Sequence, residues 1–174
     1  MSSHLALPRE GHLDQVLHIF AYLKKYHNTE MVFDPSDPVI DEEKFNKKDW
    51  TSSEFGHVQG KEVLPANMPQ PRGLGFVMTA KVDADHAGDT VTRRSRTGFL
   101  VFLNSAPTYW MSKKQTSTET STFGAKFTAM KQACEYVRGL RYKMRMLGIP
   151  CEEPTFTMAT TNLCWRTQQC PIRN

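Results

Sequence analysis

Apolar residues recur at helical spacing in two parts of the chain. A helix is predicted over residues 8–27, because Leu13, Leu17 and Phe20 fall on one face. A longer helix is predicted over Phe123–Leu147, where apolar residues step by three and four before a Gly148 and Pro150 stop signal. This stripe consists of Phe123, Phe127, Met130, Cys134, Val137, Leu140, Met144 and Leu147, of which Phe127, Met130 and Val137 are assigned to the core.

Short apolar runs around the second helix predict strands. Three precede the helix, at Phe76–Asp83, Gly98–Leu103 and Thr108–Ser112, and one follows it at Thr155–Ala159. Residues 104–107 suit a hairpin turn, and Met31–Phe33 is compatible with a further short strand. An antiparallel start followed by a β–α–β crossover predicts a layered fold of the α/β or α+β class.

Changes in composition divide the chain into three segments. Residues 1–28 hold the first helix, and residues 76–174 hold the predicted sheet and long helix. Between them, residues 29–75 contain recurrent prolines, an acidic cluster at Asp41–Glu43 and two isolated aromatics, Phe45 and Trp50. We expect this middle segment to be an irregular connection that packs at a few points or is partly disordered.

Charge is unevenly distributed along the chain. The 174 residues carry a net charge of +4, but residues 76–149 hold 12 Lys or Arg against 5 Asp or Glu, a balance of +7. A basic half suits a polyanionic partner such as nucleic acid. The alternative is a solvated surface rich in lysine.

Cysteine spacing and hydropathy bear on location. The four cysteines, Cys134, Cys151, Cys164 and Cys170, show no C-x-x-C spacing, so we expect reduced thiols and no zinc site. No apolar run approaches the length of a membrane span, and residues 1–8 do not resemble a signal peptide. An intracellular protein, cytoplasmic or nuclear, without a membrane partner is therefore expected.

Two carboxylates end the first predicted strand. Asp83 and Asp85 lie within Val82–Gly88, just before a basic turn that contains Arg93, Arg94 and Arg96. Such a pair is the beginning of a divalent-cation site, and the alternative is an ordinary solvated turn. Asp85 is assigned to the surface or to the surroundings of the site, either because it points away by strand alternation or because it lies in the turn.

Several motifs in the same order resemble the ribonuclease H region of copia-type retrotransposon Pol polyproteins. The resemblance is carried by Val82–Gly88, Arg93–Gly98, Trp110–Gln115, Glu119–Ala125, Ala129–Lys131 and Glu135–Arg141. Residues 11–24 are in turn similar to the tail of the reverse transcriptase that precedes ribonuclease H in these elements. Together the similarity covers most of residues 8–27 and 76–160.

The resemblance implies a fold and a chemistry. It implies a ribonuclease H-like mixed sheet covered by the long helix, incomplete at its C-terminal end. Enzymes of this family cleave the RNA strand of RNA–DNA hybrids with two Mg²⁺ ions held by four carboxylates. By resemblance, Asp83 is the first of these metal ligands and the catalytic position retained.

The other carboxylates that the family requires are not found in this chain. The family glutamate of F-G-x-E-F corresponds to Lys126, and the family aspartate on the fourth strand corresponds to Thr160. Glu119 belongs to another part of the pattern, and the fourth acid would lie beyond Asn174. With three of four ligands missing, we expect no Mg²⁺ pair and a catalytically inactive copy, so its status as an enzyme is uncertain.

Nucleic-acid binding is expected to survive better than catalysis. Phosphate contacts are assigned to Arg93, Arg94, Arg96, Lys113 and Lys114 and would be weak and non-specific. The partners implied are an RNA–DNA hybrid or other nucleic acid and the reverse transcriptase portion of the same polyprotein. The alternative is a non-catalytic or unstable fragment without activity of its own. We expect His86 to be a packing or rim residue and Trp110 to be core rather than a base-stacking platform.

Overall fold

The computed structural model describes residues 7–41, 43, 45, 64–159 and 164–166. The chain divides into two compact units, Met1–Val32 and Phe33–Asn174. The first unit contains α1, Glu10–Lys25, and confirms the predicted first helix. None of the residues of α1 is buried.

The second unit is built on a mixed sheet with one long helix. Its elements are β1 (Met78–Asp85), β2 (Arg96–Leu103), β3 (Ala106–Lys114), α2 (Thr122–Met146), β4 (Phe156–Ala159) and β5 (Cys164–Arg166). The strand order in the sheet is β3-β2-β1-β4-β5. Strands β1, β2 and β3 are antiparallel, whereas β4 lies parallel to β1 after the α2 crossover. The predicted combination of a meander and a crossover is therefore confirmed.

The core lies between α2 and one face of the sheet. Alternate residues of β1, including Ala80 and Val82, pack with Phe99 and Val101 of β2 against small helix residues such as Ala129. Small side chains at the contact allow the helix to approach the sheet closely. The stripe of Phe123–Leu147 is only partly correct, because Met130 and Val137 are buried whereas Phe127 is 52% exposed and Phe123 and Leu147 are also exposed.

The end of α2 follows the predicted stop signal. Gly148 adopts φ +74°, which glycine reaches without strain, and its amide donates to the Arg145 carbonyl. The loop that follows is held by the buried Arg141, whose guanidinium donates to the carbonyls of Cys151 and Glu153 at 2.7 Å each. These bonds fix the path of the chain into β4.

The connection before β1 contains neither an α-helix nor a strand among residues 29–41, 43, 45 and 64–75. The short strand predicted at Met31–Phe33 is therefore wrong. Phe45 packs edge-on against Phe156 with ring centroids 4.9 Å apart, which confirms one packing point of the connection. Trp50 and Cys170 lie outside the described residues, whereas Cys134 and Cys151 are buried. No described helix is long and apolar enough to cross a membrane.

Candidate functional site

Asp83 stands on the face of β1 that is turned away from the buried core. Its neighbours Val82 and Ala84 are buried, whereas the side chain of Asp83 is 60% exposed. The strand continues to Asp85, which lies on the same face because side chains two residues apart point the same way. Strand alternation therefore does not separate the two carboxylates, and that reason for assigning Asp85 away from the site was wrong.

The carboxylate of Asp85 instead turns back over the following turn. It occupies the space where a side chain on Gly88 would stand, so that the two positions are in close contact. Residue 88 must therefore lack a side chain unless the Asp85 carboxylate shifts. Of the two positions predicted for Asp85, the surface and the surroundings of the site, the structure shows an exposed side chain at the surface.

Lys126 is the residue that α2 brings to Asp83. Its Nζ lies 3.8 Å from Asp83 Oδ1, and its side chain is only 15% exposed. Two of the four positions to which the resemblance assigns metal carboxylates are thus neighbours in the structure, with an ammonium group at the second of them. An ion pair at this distance places one positive charge where a divalent cation would need a negative one.

The start of α2 is anchored in a way that fixes the position of Lys126. Ser121 caps the helix by accepting a hydrogen bond from the Gly124 amide at 3.0 Å. The buried Gln115 donates from Nε2 to the carbonyl of Ala125 at 2.9 Å and to Thr97 Oγ1 at 3.1 Å. Gln115 therefore joins β2 to the first turn of α2, at the residue immediately before Lys126.

Glu119 and His86 make hydrogen bonds near the N-terminus of α2. Glu119 Oε1 accepts hydrogen bonds from Ser117 Oγ at 2.7 Å and from Thr128 Oγ1 at 3.3 Å. His86 Nε2 donates to the backbone carbonyl of Glu119 at 3.1 Å, so this ring nitrogen carries the proton. His86 is half-buried, which is compatible with the packing or rim position predicted for it.

The described residues around Asp83 do not fit a pair of Mg²⁺ ions. Mg²⁺ requires several oxygen ligands in near-octahedral geometry, whereas the ammonium of Lys126 lies beside the carboxylate of Asp83. Within residues 7–41, 43, 45, 64–159 and 164–166, no three Asp, Glu, His or Cys side chains form a group able to hold a metal. Thr160 lies outside the described residues; β4 ends at Ala159, whose register partner on β1 is Val82.

The basic turn between β1 and β2 is held together by Asp89, which belongs to none of the predicted sites. Asp89 accepts hydrogen bonds from the amides of Val91 and Thr92 and from Lys114 Nζ at 2.6 Å. The bond from Lys114 holds the pKa of Asp89 far below its usual range. An aspartate that opens a polar turn is the sequence signal that could have revealed this role.

The five basic residues assigned to phosphate contacts do not form one surface. Arg93 and Arg94 are exposed on the turn, whereas Lys114 is held by Asp89. Alternation along β3 places Lys113 on the face of Tyr109 and Met111, which pack against the core. Arg96 and Lys114 are register partners and share the opposite face.

Trp110 is not a core residue. Its side chain is 58% exposed on β3, on the face of the sheet that α2 does not cover. The prediction of a buried tryptophan was therefore wrong. The error arose because a tryptophan in an apolar strand is usually largely buried, whereas β3 is an edge strand of this sheet and Trp110 lies on its uncovered face.

The comparisons with known proteins give one partial similarity. No family model matches the chain, and no solved structure matches it significantly. The chain is similar to secreted RxLR effector protein 161 of Plasmopara viticola, with 37% identity over 82 residues. This similarity covers 44% of the chain and 58% of the relative, so the chain spans little more than half the length of the protein that it matches.

Proposed function

We propose that this chain is a ribonuclease H-like domain derived from the Pol polyprotein of a copia-type retrotransposon, and that it does not cleave RNA–DNA hybrids. The proposal of ancestry is supported by the motifs that resemble this family and by the order of three antiparallel strands, a long helix and a parallel strand. It is also supported by the closeness of Asp83 and Lys126, the two family site positions that lie among the described residues.

The proposed loss of activity is inferred from one observation, the ammonium of Lys126 beside the carboxylate of Asp83. A divalent cation about 4 Å from a unit charge gains or loses about 2 kcal/mol even at the dielectric constant of water. Exchange of the family glutamate for lysine reverses the sign of this term for each metal ion. Because hydrolysis in this family depends on two such ions, the reversal removes the source of the attacking hydroxide.

A cleavage assay with the full chain tests the proposal. The substrate is an RNA–DNA hybrid with a labelled RNA strand, incubated with Mg²⁺ or with Mn²⁺. We expect no cleavage above that of an Asp83→Asn control. Cleavage that is lost in Asp83→Asn would refute the proposed inactivity, because it would show that Asp83 still supports metal-dependent hydrolysis.

In this proposal, binding to hybrids and to other nucleic acids is weak and depends on phosphate contacts. The exposed Arg93 and Arg94 supply these contacts, whereas Lys114 contributes less because it is already paired with Asp89. The reverse transcriptase portion of the same polyprotein is the proposed protein partner. We further propose that the protein acts inside the cell.

A second candidate function rests on the similarity to the Plasmopara viticola protein. That protein is named a secreted effector, and under this reading the chain acts as a secreted effector without hydrolytic activity. Detection of the protein in the medium around cells of its source organism, but not inside them, would favour this second candidate over an intracellular role.

A further inference from the structure

The sheet has an open face over β2 and β3. Phe99 and Val101 of β2 point towards α2 and are buried. Leu100 between them points to the opposite face and is 42% exposed, and Trp110 on the next strand, on that same face, is 58% exposed. The register makes Lys81, Leu100 and Trp110 neighbours in one row across β1, β2 and β3. In this row, an aromatic ring and a cation stand on either side of an apolar side chain.

A second aromatic ring extends this surface. Phe102 lies two residues after Leu100 and therefore on the same face of β2. The ammonium of Lys81 stands 5.1 Å from the centroid of the Phe102 ring. The cation–π contact holds Lys81 over the sheet rather than extended into solvent, at the edge of the aromatic surface.

The neighbouring row contains a gap. Asp83, Gly98 and Ser112 are register partners, so the central position of this row has no side chain. A Cβ atom built on Gly98 would lie 3.9 Å from its nearest neighbour, a backbone oxygen, which shows that the space is open. The gap lies beside the row of Trp110 and gives a flat ring access to the sheet.

Basic residues border the same face. Arg96 lies one row beyond Gly98, and Arg93 and Arg94 are exposed on the adjoining turn. Two carboxylates on this face would repel an anion. Asp83 is offset by the ammonium of Lys126 at 3.8 Å, and Asp85, the register partner of Arg96, offsets part of the charge of that arginine. The excess of +7 over residues 76–149 adds a long-range attraction for a polyanion.

We propose that this open face binds single-stranded nucleic acid, with a base stacked on Trp110 and phosphates held by Lys81 and Arg96. Exposed aromatics combined with a positive surface are the means by which proteins bind single strands without sequence preference. A duplex does not suit this surface, because its bases are already stacked. This binding does not depend on cleavage and so does not rest on the proposed function.

The test is fluorescence anisotropy with the full chain and 15-nucleotide, fluorescein-labelled oligo-dT and oligo-U, with a duplex of the same length in parallel. Loss of stacking on one base corresponds to about a 5- to 150-fold change in Kd, so we expect Trp110→Ala to weaken single-strand binding at least about fivefold. Trp110→Tyr is expected to retain binding because it keeps the ring. Phe127→Ala is the matched control, because Phe127 is an exposed aromatic on α2 and should leave Kd unchanged.

Two further variants separate the parts of the proposal. Lys81→Gln should reduce the slope of log K against log salt by about 0.7, the value for one lost phosphate contact on a single strand. Gly98→Val should weaken binding to both oligonucleotides because it fills the gap. Trp110→Thr, which keeps a residue that favours strands, replaces Trp110→Ala if circular dichroism shows that the alanine variant is unfolded.

Three results would overturn the proposal. The first is equal binding of the wild type and a folded Trp110 variant without a ring. The second is a preference for the duplex over both single strands. The third is a wild type that binds no oligonucleotide but self-associates in sedimentation, with the self-association abolished by Trp110→Thr. This face would then be an interface between two copies of the chain.

Discussion

Replacing Lys126 with glutamate is expected to create a divalent-cation site at the end of β1. In the wild type, the ammonium of Lys126 lies 3.8 Å from the carboxylate of Asp83 and repels any cation that approaches this carboxylate. The substitution exchanges that repulsion for attraction at the same place. A matching gain in affinity for Mn²⁺ would show that Lys126 is the group that prevents metal binding there.

The magnitude follows from the distance and the exposure. Asp83 is 60% exposed, so the dielectric constant of water is the appropriate choice, and a divalent cation about 4 Å from a unit charge then gains or loses about 2 kcal/mol. Lys126→Gln removes one unfavourable term and should tighten Mn²⁺ binding by about 30-fold at low salt. Lys126→Glu also adds a favourable term, so the total of about 4 kcal/mol corresponds to about 1000-fold.

The assay is titration of Mn²⁺ followed by the electron paramagnetic resonance signal of the free ion. Lys131→Glu is the matched control, because it makes the same change in net charge at an exposed lysine that is paired with Glu135. A double variant, Lys126→Glu with Asp83→Asn, should lose about half of the gain in binding free energy. Equal Mn²⁺ affinities for Lys126→Glu and Lys131→Glu would refute the reasoning, because the effect would then be one of net charge alone.

Three further predictions concern stability. Arg141→Met should lower the free energy of unfolding by about 3 kcal/mol, because buried carbonyl oxygens lose a charged donor. Asp89→Asn should destabilise the fold near pH 7, because the bond from Lys114 lowers the pKa of Asp89 in the folded state. The destabilisation should shrink as the pH falls below about 3.9, because protonation of Asp89 removes the contribution of the carboxylate to the stability of the wild type. Met130→Ala should cost about 3 kcal/mol, whereas Phe127→Ala should cost less than about 1 kcal/mol.

Urea denaturation measures the first and third of these predictions, and thermal unfolding from pH 2 to pH 8 measures the second. Arg138→Met is the control for Arg141, since Arg138 is an exposed arginine on the same helix. An equal loss in the two arginine variants would contradict the role of the buried bonds. An effect of Asp89→Asn that is independent of pH, or a larger cost for Phe127→Ala than for Met130→Ala, would contradict the other two.

Much of the fold was predictable because it depends on local patterns. The helix α2 was found from the spacing of its apolar residues, and its end from Gly148, which takes a conformation that glycine adopts at little cost. The register of β1, β2 and β3 could not be predicted from these patterns, because strand pairing depends on partners that are distant in sequence. The strand β5 was missed for the same reason, because its three residues carry no period that can be read.

The candidate site shows the same division between local and distant information. Asp83 was selected from a motif that lies within one short segment, and Lys126 was identified as a lost carboxylate position by resemblance. That the two lie 3.8 Å apart follows only from the packing of α2 on the sheet. Asp89 was missed because its role consists of bonds to amides in the turn and to Lys114, which lies 25 residues away.

The sequence alone determined the residue types at the end of β1 and in α2, and therefore the positive charge that stands where a metal ligand is expected. Only the tertiary structure decided which apolar residues are covered. Phe127 and Trp110 belong to regular apolar patterns, yet both are exposed, because α2 covers one face of the sheet and turns only part of its own stripe towards it. Burial depends on which surfaces meet, and that depends on contacts between elements that no local pattern contains.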